Sequence, residues 1–353
     1  MHEPPRQLPS ALVARFLCFL LMLTATGLHG AEPEIDPFET PLGHPHDLQL
    51  PAGFPAPDLP DDYPLTDERI NLGRALFYEG ALSRDGRITC GSCHQRRFAY
   101  ADRRPFSLGL DGLPTPRNSM PIFNVAWKKE FFWDGRAPSL RAQVLIPIQD
   151  HREMDESLHN VVRKLSRSRV YLPVFKEAFG TPEVTAERIA VALEQFLLAR
   201  TSLDSKYEQS QRGEATLSAE EERGRSLFLR NSSGTSCATC HNGPLFTDHA
   251  FRNNGLTPTD DRGREKVTGL ETDRAKSATP TLRNIALTAP YMHDSRLKTL
   301  EAVVSHYSSG LHRSPTLAPE LAKLPTKGFA FTPADQAALV SFLHTLTDPK
   351  FAP

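Results

Sequence analysis

Apolar positions along the chain fall into short helical stretches separated by polar, proline-rich ones. A helix is predicted from Thr66, a residue type that caps helix N-termini, through Asp67 and Glu68 to Phe77. Pro182–Ala199 shows helical spacing at Ile189, Ala192, Leu193, Phe196 and Leu197. Residues 31–64 are rich in proline and acidic groups, and read as an extended arm over the surface or as a disordered lead-in. Upstream, Arg6 and Arg15 precede the apolar run Phe16 to Ala25, followed by the small residues Gly27, Gly30 and Ala31. That order predicts a secretory signal peptide over residues 1–30. The run is too short to span a bilayer comfortably, which leaves an uncleaved anchor as the lesser alternative and no stable membrane span after cleavage. Strand signals are few, so the fold class is mainly α.

The pattern repeats. Gly73-Arg74-Ala75-Leu76-Phe77 matches Gly224-Arg225-Ser226-Leu227-Phe228, and Leu65-Thr66 matches Leu217-Ser218. A cysteine pair follows each copy, Cys90 lying 17 residues past Gly73 and Cys237 lying 13 past Gly224. This is an internal duplication of cap, helix, turn and cysteine motif. It divides the chain near the polar stretch Gln209–Ala215, into a domain over 31–212 and one over 213–353. Thirty prolines exclude long uninterrupted helices, and a net charge of −1 excludes a strong electrostatic pull toward nucleic acid or anionic lipid.

Of five cysteines, Cys18 sits in the apolar run and the other four form two identical motifs, Cys90-Gly91-Ser92-Cys93-His94 and Cys237-Ala238-Thr239-Cys240-His241. Two thiols one helical turn apart can add to the two vinyl groups of one porphyrin, and the next residue, histidine, is then placed to ligate its iron. A zinc site would need more ligands than each pair offers, and a redox dithiol has no use for the histidine. Two covalently bound haems c are expected. The occupant of each second axial position decides function. Between Gln95 and Ser119 there is neither histidine nor methionine, so the first iron is expected to be open. The second half offers Met292, His293, His306 and Tyr307.

At this point the residues carry a resemblance to the bacterial di-haem cytochrome c peroxidase and MauG family. It rests on Arg117-Asn118-Ser119-Met120-Pro121, Phe132-Trp133-Asp134-Gly135-Arg136-Ala137, Glu153-Met154, and the run from Thr279 through Tyr291-Met292-His293-Asp294. The resemblance implies two tandem cytochrome c-like domains, the first peroxidatic and the second for electron transfer. It implies that Trp133 stands between the haems as an electron relay. Glu153 matches the distal acid that would move a proton between the two oxygens of peroxide. Gln143 and Pro147 match further distal positions, and Asn118, Thr288 and Pro290 match residues around a calcium ion, for which oxygen donors suit a hard cation. The stretch around Leu110 lacks the histidine that many relatives place on the resting first iron, so no reductive activation is expected. Tyr307 lies 16 residues past Tyr291, where classical members carry a methionine ligand and MauG-like ones a tyrosine. His306 is the neighbouring alternative.

The expectation is therefore a periplasmic enzyme that uses hydrogen peroxide at the first haem. Electrons would come through the second haem from a small cytochrome c or cupredoxin, or from a side chain of a protein substrate. The competing class is a non-catalytic di-haem electron carrier, which would need both irons six-coordinate and no distal acid.

Overall fold

The computed structural model describes residues 43–325 and 327–351; the signal segment expected at 1–30 lies outside the described residues. Residues 43–65 contain no helix. They are tied down by a bridge between Pro45 and Thr66 and by the bond from His46 N to Leu65 O, 2.9 Å.

Thirteen helices follow in chain order among the described residues. They are α1 (Asp67–Phe77), α2 (Cys90–Cys93), α3 (Leu140–Gln149), α4 (Leu158–Ser166), α5 (Tyr171–Phe179), α6 (Ala186–Leu198), α7 (Lys206–Gln211), α8 (Ala219–Leu229), α9 (Cys237–Cys240), α10 (Glu265–Thr268), α11 (Leu300–Ser309), α12 (Pro319–Ala322) and α13 (Pro333–His344). Strands are limited to the antiparallel pair β1 (Phe251–Arg252) and β2 (Ser277–Ala278), in register Phe251 to Ala278. Short polar caps start the helices: Thr66 Oγ1 accepts from Arg69 N, and Ser218 and Glu221 form a reciprocal capping box at α8.

The duplication becomes two equivalent helix crossings. α1 packs on α6 and α8 on α13. At the first crossing a Cβ on Gly73 would lie 1.8 Å from Ala192 O; at the second, one on Gly224 would lie 1.9 Å from Ala338 O. Only glycine permits either approach. The same rings close both seams, Phe77 on Phe196 at 5.1 Å and Phe228 on Phe342 at 5.3 Å. Leu72, Leu76 and Phe77 are fully or almost fully buried, each contributing roughly 1.5–3 kcal/mol by burial alone.

The described residues form two main cores. The larger draws on residues from Leu65 to Ala199 and the smaller on residues from Leu227 to Leu346. Two features join them. Asn124 and Asn284 both adopt left-handed backbone (φ 52° and 54°), and each clamps the connecting segment. Asn124 exchanges bonds with Ser202 at 2.8 and 2.9 Å, and Asn284 Nδ2 donates to Ser202 Oγ at 2.8 Å. The second feature is the chain end: Phe351 packs in the first core, 5.5 Å from Phe123 and 6.1 Å from Tyr100. Tyr207 of α7 packs with Phe246 and Phe342 of the second core.

Candidate active site

Each cysteine motif is a single helical turn with its own cap. Ser92 Oγ accepts from Thr89 N at 3.0 Å in α2, and Thr239 Oγ1 accepts from Ser236 N at 2.8 Å in α9. The turns are thus held independently of any longer helix, with both thiols free. Burial pushes the Cys90 and Cys237 thiols up to about 12, and Cys93 and Cys240 up to about 11. Thiols raised in this way are poor redox nucleophiles, which disfavours a redox dithiol.

The histidines are set the same way. His94 Nδ1 donates to Tyr100 O at 2.9 Å and His241 Nδ1 to Phe246 O at 3.2 Å. A carbonyl only accepts, so each Nδ1 carries the proton and Nε2 keeps its lone pair, as an iron ligand requires. Burial pushes both imidazoles down, His241 to about 4, so they stay neutral. Each turn opens on a cavity. One of about 560 Å³ is lined by His94, Gln143, Pro147, Glu153 and Trp133; another of about 180 Å³ is lined by Cys237, Cys240, His241, Met292, Tyr307 and Trp133. Neutral thiols in pairs, a pre-oriented imidazole and an adjoining cavity together fit a covalently attached haem in each half.

Trp133 lines both cavities. It is buried, and its Nε1 donates to Asn118 O at 2.8 Å. The segment Phe131–Ala137 closes on itself by a bridge, as does its duplicate Tyr291–Leu297. Phe132 and Met292 occupy the same left-handed position in the two copies (φ 68° and 76°), as do Gly135 and Ser295 (76° and 60°).

The helix after each of these loops supplies the far wall of its cavity. α3 is capped by Ser139 and α11 by Thr299. Gln143 and Pro147 stand one turn apart in α3, where α11 has Val303 and Tyr307. The duplication therefore puts an apolar ring in one half where the other has a phenol. Burial pushes the Tyr307 hydroxyl up to about 12, and Asn254 Nδ2 lies 3.4 Å from it and 3.2 Å from Met292 Sδ. His306 does not line this cavity; its Nε2 donates to Asn254 O at 3.0 Å.

Glu153 sits in the turn after α3, its N bonded to Asp150 O at 2.9 Å. Burial, reinforced by the charge of Asp150 and opposed by Arg136, pushes its carboxyl up to about 7. The loop that lacks a histidine is fastened to this turn. Leu110 N donates to Glu153 O at 3.1 Å, and a Cβ on Gly109 would lie 1.9 Å from Arg152 O. Asn118, Thr288 and Pro290, expected around calcium, all line the cavity of the second half.

Sequence reasoning missed the charge cluster beside Trp133. Arg117 forms a two-pronged pair with Asp261 at 2.7 and 2.8 Å and also reaches Asp134 at 2.6 Å. Burial alone would raise the Asp261 carboxyl, but Arg117 and the Gly263 N–H hold it well below the usual carboxylate range. Arg117 and Asp134 stood in quoted motifs, but Asp261 is 144 residues from Arg117 and carried no local signal. Asn254 was likewise unmarked. Lys128 lines the first cavity, its ammonium pushed down to about 8 by burial.

The helical fold with two histidine-bearing cysteine turns defines a di-haem c-type cytochrome with one cavity fit for chemistry. The family described as di-haem cytochrome c peroxidase matches residues 67–216. The methylamine utilization protein MauG of Methylorubrum extorquens is 36% identical over 81% of this chain and 80% of its own length. The cytochrome c551 peroxidase of Nitrosomonas europaea is 36% identical over 68% of this chain and 73% of its own. A crystal structure of a MauG-like protein associated with microbial copper homeostasis superposes with a TM-score of 0.77 at 32% identity, covering 87% of this chain and 99% of that one. The chain belongs to the di-haem cytochrome c peroxidase and MauG family. It is a peroxide-dependent di-haem oxidoreductase carrying two haems c, and it takes electrons from a protein donor or substrate. These likenesses do not favour a non-catalytic carrier. No helix among the described residues is long and apolar enough to cross a membrane.

Proposed function

We propose that hydrogen peroxide reacts in the cavity of His94, with Glu153 as the proton carrier, and that Trp133 couples this cavity to that of His241. The bound haem supplies the site where peroxide is reduced. Glu153 takes the proton from one peroxide oxygen and returns it to the other. Its raised carboxyl, near 7, suits a group that must both accept and release a proton at neutral pH. Gln143 orients the substrate by hydrogen bonding, and Pro147, an apolar ring in the same cavity, would offer the iron no donor. The carrying observation is the asymmetry of the two copies: Pro147 in α3 stands where Tyr307 stands in α11. Tyr307, which lines the cavity of His241, would hold the iron of the haem bound there and supply it an anionic oxygen. His306 is committed to Asn254 O and is set aside.

A phenolate donates more charge to iron than a thioether, which favours MauG-like oxidation of a partner's side chain over turnover of a small cytochrome c or cupredoxin. The MauG of M. extorquens is among the relatives so similar. Asn118 Nδ2 donates to Pro105 O at 3.4 Å, so Oδ1 is the atom it would offer a cation; Thr288 and Pro290 line the same cavity and would add oxygen donors of the kind Ca²⁺ takes. The reading divides the enzyme into residues 31–212 and 213–353, exported to the periplasm after cleavage of residues 1–30. The test is rapid mixing of the purified di-haem protein with peroxide. Wild type changes its absorption spectrum within the mixing time and Glu153→Gln does so at least a hundredfold more slowly; equal rates would defeat the assignment of Glu153. Reduced cytochrome c then decides the branch: rapid consumption supports a peroxidase, and indifference supports MauG-like chemistry.

A further inference from the structure

Two cavities meet at His94. The smaller, about 60 Å³, is lined by Cys90, Cys93, Phe77, Leu193 and Leu197. The larger, about 560 Å³, is lined by neither cysteine, and its walls include Lys128 from the first half and His249 from the second. The other cations that line it are committed. Arg117 holds Asp134 and Asp261, Arg136 lies 3.2 Å from Asp134, and Lys266 lies 3.5 Å from Asp261. Lys128 has no ion pair among the described residues. Its Nζ lies 3.9 Å from Met120 Sδ and 5.7 Å from the centroid of Phe131. Glu130, the acid whose charge reaches it, is held by Arg264 at 2.8 Å. His249 sits in left-handed backbone (φ 57°), its N donates to Thr247 Oγ1 at 2.9 Å, and its Nε2 is buried with no hydrogen-bond partner.

An ammonium set against an aromatic ring and a thioether has exchanged its water for weak contacts. Burial, and then the charge of Lys128, push the His249 imidazole down to about 4, yet the two side chains do not bond each other. Groups of this kind, brought together in a buried site, are costly until an anion joins them. One carboxylate would answer both, through charge-assisted hydrogen bonds. The chemistry of the porphyrin says where such a carboxylate comes from. Its two vinyl groups and its two carboxylates lie on opposite edges of the ring, so a haem joined to Cys90 and Cys93 in the smaller cavity presents its acids to the larger one. The duplication points the same way. The spacing that pairs Phe132 with Met292 pairs Lys128 with Thr288. Thr288 belongs to the oxygen set suited to Ca²⁺, so the first half carries its own cation where the second half would borrow one.

We propose that Lys128 and His249 together bind a carboxylate of the haem attached at Cys90 and Cys93, and so fasten the first haem to both halves of the chain. Lys128 lies four residues past the Asn124 clamp and His249 eight residues past His241, so the ligand they share bridges the seam between the duplicates. The covalent attachment is made by the first half alone; this anchor needs both. It also sets a positive charge beside the first haem, which favours the ferrous over the ferric state. The proposal requires a haem at His94 but not the peroxide chemistry proposed above, and its test uses no peroxide.

The experiment compares the di-haem protein with Lys128→Met, Lys128→Arg and His249→Phe. Resonance Raman spectroscopy reads the propionate-bending band of the first haem, and spectroelectrochemistry reads its ferrous-to-ferric ratio at a fixed poise. Lys128→Met keeps the length of the stem and removes the charge. It is expected to shift the band and to move the ratio at least about threefold toward ferric, with the second haem moving less. Lys128→Arg keeps charge and donors and stays near wild type. His249→Phe removes a hydrogen bond but no charge, so it shifts the band and leaves the ratio nearly unchanged. A band that stays fixed in Lys128→Met overturns the proposal, even if the ratio moves, because the ammonium then acts only at a distance. If Lys128→Met does not take up its first haem, His249→Phe decides, and an unshifted band there overturns the proposal. Sodium acetate added to wild type should change neither reading. An acetate-dependent shift that disappears in Lys128→Met would make this a site for a free carboxylate and overturn the assignment to the haem.

Discussion

Glu153 ties the local sequence to the chemistry and gives the most direct pH test. Its carboxyl is raised from 4.5 to about 7, so in the folded protein it holds a proton between those values that the unfolded chain would release. Folding then takes up a proton, and this group's contribution to stability is fully present below pH 4.5 and is lost as pH rises through 7. Glu153→Gln should remove that loss. Thermal melts of the two proteins at pH 5 and pH 8 should show the variant gaining on wild type at the higher pH, and parallel curves would contradict the raised carboxyl. Activity follows the opposite sense: a group that begins by accepting a proton works as its carboxylate, so peroxide turnover by wild type should rise with pH through about 7. Tyr307 gives a second test at this scale. Tyr307→Phe removes the phenolate, and the midpoint potential of the second haem, followed by spectroelectrochemistry, should rise.

Among elements, the two glycine crossings decide whether either half can close. A methyl group on Gly224 would enter the carbonyl of Ala338, and the backbones would have to part. Overpacking of this kind typically costs about 1–3 kcal/mol. Gly224→Ala should therefore lower the melting temperature and reduce haem content in the second motif, measurable by pyridine haemochrome assay. Elements were also where the sequence spoke most clearly. The helix expected from Thr66 to Phe77 is α1 with that cap, and the apolar stripe in Pro182–Ala199 is α6. Both rest on local chemistry, a hydroxyl cap and a period of 3.6. The cysteine turns could be placed for the same reason. Asn254 and Asp261 could not, because their meaning comes only from Tyr307 and Arg117, far along the chain. The choice between Tyr307 and His306 was similarly closed to sequence. Neighbours on a helix point in different directions, and only packing says which one reaches the cavity.

At the scale of the molecule, the Arg117 cluster links elements far apart in the chain. Asp134 belongs to the Trp133 loop and Asp261 to the second half, and Arg117 holds both. Arg117→Ala would leave Asp134 to Arg136 at 3.2 Å and Asp261 to Lys266 at 3.5 Å, at a cost below the roughly 3–5 kcal/mol of a buried charge left with no partner. The expected result is a lower melting temperature together with slower electron exchange between the two haems, since Trp133 is adjacent to Asp134. Unchanged exchange in a folded variant would separate the cluster from the relay.

The position of Phe351 bears on how the protein is made. Synthesis runs from the N-terminus, yet the ring that completes the first core is Phe351, packed against Tyr100, whose carbonyl orients His94. A nascent chain can have Cys90 and Cys93 available long before that buttress arrives. The first half must therefore wait for Phe351 before its histidine is fixed, and a chain cut short after Asp348 would be unfinished around Tyr100.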